Sequence, residues 1–193
     1  MTFYSLIFVA ETHGFIDDFK KEKEIIELYS PEFVLSEYMQ NFILDSKIKY
    51  ERILTKKKIS KMVSFKEVKE LIKLCYKKNI NLIGIDLKNF GFNKQMQNKI
   101  KKQEELNTKE QKELEEILKK REEKNIKIIK RYLKKTSKPI IVLLGAWHLR
   151  ENSLIRKSFK GYKIIFPSDE KGNILIEPPK KSYDIKYGEL ECN

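Results

Sequence analysis

Histidine and cysteine are both scarce in this chain, with two of each in 193 residues. Cys75 and Cys192 are far apart, and no C-x-x-C spacing occurs, so neither a disulfide framework nor a thiolate zinc site is predicted. Cys75 falls on an apolar helical stripe, which predicts a buried thiol in a reducing compartment. No G-x-x-x-x-G-K-[ST] loop and no G-x-G-x-x-G fingerprint is present, which argues against nucleotide-cofactor chemistry. The G-x-S-x-G turn of serine hydrolases is missing too. No apolar run approaches the length that crosses a bilayer. The opening "MTFYSLIFVAETHG" has no basic segment before its apolar run, and Glu11 and His13 interrupt that run too early for a secretory signal. The expectation is a cytoplasmic protein with no membrane span.

Charge and apolar content fill the composition. Hydrophobic residues make up 40%, enough for a core at this length. Charged residues reach 36%, and Lys+Arg 41 against Asp+Glu 28 leave a formal net charge of +13. Such a balance admits nucleic acid as a partner. Glutamate interleaved with the lysine leaves no clean basic stripe, so nucleic acid is not the favoured partner.

Apolar runs at "YSLIFVA" (4–10), "EFVLS" (32–36), "INLIGI" (80–85), "IIVLL" (140–144) and "YKIIF" (162–166) predict buried strands, and "NILIE" (173–177) a further one. Between them lie helical stretches. One opens at Asp17-Asp18, one covers Tyr38 to Lys78 with a capping box at Ser64 and Glu67, and one begins near Arg150. Strands apolar throughout and alternating with helices predict an α/β fold with a mainly parallel central sheet. The stretch 94–135 is highly charged with a thin apolar stripe, and is expected to be a helical insert. A single domain over 1–177 and an irregular tail over 178–193 complete the expected organisation.

Ligand sites in open α/β sheets lie beyond the carboxyl ends of the strands. Here the first strand ends in Glu11-Thr12-His13-Gly14, the second in Glu37 and the third in Asp86. The fourth ends in Gly145-Ala146-Trp147-His148-Leu149-Arg150. If the strands are parallel, Glu11, His13, Glu37, Asp86, His148 and Arg150 share one edge, and both histidines meet there. Ordinary roles compete: Asp86 as a cap, Glu37 as a carboxylate at a helix start, Trp147 as packing, and Arg150 as a partner of Asp86 or Glu151. The set also suits chemistry. Glu11, His13, Glu37 and His148 have the donor types that hold a divalent metal (Mn, Co or Zn), which would acidify a bound water. Without metal, one histidine serves as a general base oriented by a glutamate. Arg150, Asp86 and Trp147 are the candidate substrate contacts, with Arg150 suited to an anion.

The quoted segments resemble a superfamily that groups erythromycin esterases, ChaN-type haem-binding lipoproteins, TraB-type proteins and Tiki metalloproteases. "AETH" (10–13) resembles its G-E-x-H motif, "SEYM" (36–39) its second-strand Glu, and "GAWH" (145–148) its G-x-x-H motif. Ala10 stands where the first motif has Gly. The resemblance covers roughly 4–40 and 80–166 and leaves the 94–135 stretch outside. It implies an α/β fold with a site at Glu11, His13, Glu37 and His148. For function it implies first a metal-dependent hydrolase of an ester or peptide bond, acting on a small-molecule or peptide substrate. The alternative is a non-catalytic binder of haem, metal or peptide. A basic nucleic-acid-associated protein is the third reading.

Overall fold

A computed structural model describes residues 4–11, 16–55, 66–102, 104–166 and 189–192. Strand β1 (Leu6–Glu11) leads into helix α1 (Ile16–Tyr29), then β2 (Phe33–Ser36) and the two-residue β3 (Ile43–Leu44). Helices α2 (Lys47–Leu54) and α3 (Lys66–Lys78) follow, then β4 (Asn81–Gly84). Helices α4 (Lys94–Lys101) and α5 (Thr108–Leu133) precede β5 (Ile140–Gly145), the short α6 (Leu154–Ser158), β6 (Tyr162–Ile165) and β7 (Glu189–Cys192). The strands form one sheet in the order β3-β4-β2-β5-β1-β6-β7. The five inner strands are parallel and the two edge strands are antiparallel. The fold is α/β, as the apolar runs imply.

Successive side chains of a strand point to opposite faces, so an unbroken apolar strand needs cover on both. Leu6, Phe8 and Ala10 of β1 pack with Ile129 and Tyr132 of α5 and Ile155 of α6. Ile7 and Val9 pack on the other face with Ile26 of α1 and Leu71, Ile72 and Cys75 of α3. The sheet is thus the middle of three layers. Cys75 is buried, and burial pushes its thiol well above the ordinary range.

The structure departs from the sequence expectations in four places. The chain after Tyr38 is not helical at once: it turns, forms β3 against β4, and enters α2 only at Lys47. Gly84 permits this, because a Cβ there would lie 2.5 Å from the Met39 carbonyl oxygen and would also strike that of Gln40. The Gly84 amide donates to Phe42 O at 2.6 Å, which fixes the crossing. Second, the stretch 94–135, expected as an insert that is either a hairpin or one bent helix, is more than an insert: the far half of α5 supplies the core with Ile129 and Tyr132. Third, the helix expected near Arg150 starts at Leu154, capped by Ser153, whose Oγ accepts from the Arg156 amide at 3.1 Å. Fourth, the tail expected to be irregular contains β7, which pairs with the outer edge of β6. An open strand edge carries unsatisfied backbone groups, and β7 covers them. Ser64 of the expected capping box and the expected strand at 173–177 lie outside the described residues.

Candidate functional site

The sheet order places β5 between β1 and β2, so the carboxyl ends of all three meet. Glu11 sits opposite Gly145 in the register. Glu37, one residue past β2, accepts a hydrogen bond at Oε2 from the Gly145 amide at 2.9 Å. After Gly145 the chain closes one 3-10 turn, Ala146–Leu149, which directs His148 inward while Trp147 stays at the surface. His148 is only 4% exposed and Trp147 is 37% exposed.

The ring of His148 lies between two carboxylates. Nδ1 is 3.2 Å from Glu122 Oε1, and Nε2 is 3.8 Å from Glu37 Oε2. Glu122 comes from α5 and is itself buried. Its Oε1 also accepts from Arg150 Nη1 at 2.8 Å, and its Oε2 accepts from the Leu154 amide at 2.9 Å. Burial raises the proton affinity of Glu122, but the bonds from His148, Arg150 and the Leu154 amide outweigh it. The carboxyl is held below its ordinary range. One glutamate thereby ties α5 to the turn after β5 and to the start of α6.

A second buried group sits beside the first. Arg121, one residue earlier on α5, holds Asp86 through Nε at 3.1 and 3.0 Å and through Nη2 at 2.5 Å. Its Nη2 is also 3.7 Å from Glu37 Oε1, and its guanidinium lies 5.0 Å from the centre of the Phe90 ring. Asp86 accepts a further bond from the Leu87 amide at 2.6 Å, so it does serve as a local backbone acceptor. Asn125, one turn beyond Arg121, donates to Ile85 O at 2.8 Å in its satisfied orientation. Lys124 Nζ bonds Asp86 O at 2.5 Å and Asn41 Oδ1 at 2.6 Å. Burial lowers the proton affinity of Lys124 against the pull of Asp86.

Five of the seven residues singled out in the sequence, Glu11, Glu37, Asp86, His148 and Arg150, gather at this edge, with Trp147 at its rim. His13 lies outside the described residues. Arg150 pairs with Glu122 and stacks 3.5 Å from the centre of the Trp147 ring; its expected partners, Asp86 and Glu151, are not the ones it takes. Among the described residues, no group of three His, Cys, Asp or Glu side chains could hold a metal ion. The phenol of Tyr38 is pushed far up by burial and by Glu11, Glu37, Glu67 and Glu22, so it is not poised to ionise.

Arg121, Glu122 and Asn125 are the residues that sequence reasoning missed. Their signal was positional. The apolar stripe of Ile126, Ile129 and Leu133, carried back toward the helix start in steps of three and four, lands on Arg121, Glu122 and Asn125. Polar residues on the buried face of a helix require buried partners.

No protein-family model and no curated protein matches the sequence. Among solved structures, the fold is similar to that of ChaN of Campylobacter jejuni, in a structure describing cofacial haem binding. The similarity covers 84% of this chain and 80% of that one, with a TM-score of 0.51 and 13% identical residues. The fold is therefore ChaN-like. Among the described residues, no helix is long and apolar enough to cross a membrane.

Proposed function

We propose that this chain is a haem-binding protein of the ChaN-like type. The likeness of fold over most of both chains carries the reading. The site supports it in two respects. An exposed indole at the rim, backed by a guanidinium, suits a flat ligand better than it suits a scissile bond. The buried groups behind it are already engaged: each ring nitrogen of His148 faces a carboxylate, and the phenol of Tyr38 is held protonated. His13, two residues past the end of β1, is the residue we assign to hold the iron. Bound haem would supply an iron centre. The chain would supply the ligand, the rim surface and the buried carboxylates behind it.

Titration of the full chain with haem, followed by absorbance, tests this. The expected result is a saturable red-shifted Soret band that His13→Ala weakens or shifts and that His148→Ala leaves with the same ligand signature. Free-haem spectra at every ratio would overturn the reading.

A hydrolase is the second reading, and one observation favours it. An imidazole steered at Nδ1 by Glu122, with Nε2 turned toward Glu37, is arranged as a general base is. Glu11, His13, Glu37 and His148 would be its acid–base or metal-holding groups, on an ester or peptide bond. Turnover of ester or peptide probes with Mn, Co or Zn, abolished in His148→Ala, would move this reading to first place.

A further inference from the structure

The guanidinium of Arg150 is tethered at one end only. Nη1 makes both of its hydrogen bonds, to Glu122 Oε1 at 2.8 Å and to Trp147 O at 2.9 Å. Its Cζ lies 3.5 Å from the centre of the Trp147 ring. Nε and Nη2 bond no described residue, and the side chain is 29% exposed. Nε and Nη2 together form the side-on fork that accepts both oxygens of a carboxylate. Arg121 shows that fork at work in the same molecule, gripping Asp86 with these same two nitrogens. Arg150 presents an equivalent fork that no described residue takes. The fork is also pre-organised. Arginine ordinarily loses rotamer freedom when it captures a ligand, and here stacking and two bonds have already fixed it.

We infer that Trp147 and Arg150 form a binding site for a flat aromatic ligand bearing a carboxylate. Trp147 meets the ring and the Nε/Nη2 edge of Arg150 takes the carboxylate. Glu122 is the positioning residue, since it aims the guanidinium by holding Nη1 alone. The inference rests on the haem-binding reading, in which the carboxylate is a haem propionate, but it makes a separate demand. The ring and its carboxylate should bind here without iron.

Metal-free protoporphyrin IX and its dimethyl ester are therefore the probes. Each is titrated into the full chain, read by quenching of Trp147, the one tryptophan of the chain, and by porphyrin emission. The expected result is that the diacid binds about 10- to 100-fold more tightly than the ester, the range of a charge-assisted pair. Arg150→Gln should remove that preference. Arg150→Lys should remove most of it, because an ammonium keeps the charge without the fork. Glu122→Gln keeps an oxygen for Nη1 and should retain much of the preference. Circular dichroism of each variant separates lost binding from lost folding. Equal affinity for diacid and ester, an Arg150→Gln variant that still prefers the diacid, or no porphyrin binding would each overturn the inference. The two readings fail separately. Haem binding indifferent to Arg150 would sink this site and spare the function. Carboxylate-dependent porphyrin binding without iron ligation would spare the site and sink the assignment of His13 to the iron.

Discussion

Replacing Arg121 by Met should destabilise the protein by about 3 kcal/mol at neutral pH. Removing one partner of a buried ion pair costs roughly 3–5 kcal/mol, because the remaining charge is stranded. The side chain of Arg121 is 8% exposed and that of Asp86 is fully buried, so solvent screens the pair little. The lower end of the range applies because both stranded carboxylates keep a backbone donor: Leu87 N for Asp86, and Gly145 N for Glu37. With a urea slope of about 2 kcal/mol per molar, the unfolding midpoint should fall by about 1.5 M. Asp86→Leu combined with Arg121→Met should cost less than the two single changes added, by about 2 kcal/mol, since the pair then leaves together. Urea melts followed by circular dichroism and Trp147 fluorescence give all four corners of the cycle. A midpoint shift under about 0.3 M for Arg121→Met, or strict additivity in the cycle, would refute the reasoning. Either would mean that water reaches Asp86.

Two further predictions concern α5. Because Glu122 is held below its ordinary value of 4.5 in the fold, its contribution to stability is fully present above that pH. It is lost as pH falls through the lower folded value. Glu122→Gln should therefore flatten the acid limb of the stability profile below about pH 4.5, measured by thermal melts from pH 3 to 7; an unchanged limb would count against the assignment. Ile129→Ala should cost about 2–5 kcal/mol, since Ile129 is fully buried against the sheet. A loss under about 1 kcal/mol in the same urea assay would mean that α5 is peripheral to the core.

The sheet was legible because its signal is local. "IIVLL" and "LIFVA" have no polar face, and such a segment demands cover on both sides wherever it sits. The rule that sites gather at the carboxyl ends of parallel strands then assembled Glu11, Glu37, Asp86 and His148 from four separate places. What lay beyond reach depended on contacts across the chain. The two-residue β3 exists because Gly84 lets residues 39 and 40 cross close above β4, which no window around Ile43 contains. Strand β7 exists because β6 had an edge to cover. Arg121 and Glu122 sit in "KKREEKNIKII", where charge is so dense that two buried charges look like their solvated neighbours. Only the phase of the helix distinguishes them, and that phase is visible once the apolar stripe of Ile126, Ile129 and Leu133 is followed backwards.

The order in which strands pair has a bearing on how the protein is made. Strand β1 precedes the other described strands in the chain, yet its two neighbours are β5 and β6. Leu6 waits for Ile140, and Ile7 for Lys163. Until then a fully apolar strand has no place in a sheet, and such distant pairing makes folding slow and leaves nascent chains prone to aggregate. Strands β2 and β4 can pair earlier, so synthesis builds one flank of the sheet first and inserts the centre last. A chain stopped before residue 140 would keep Glu11, Glu37, Asp86, Arg121 and Glu122 but lack β5, His148 and Arg150, so its site could not assemble, and it should be a substrate for chaperones rather than a smaller working domain.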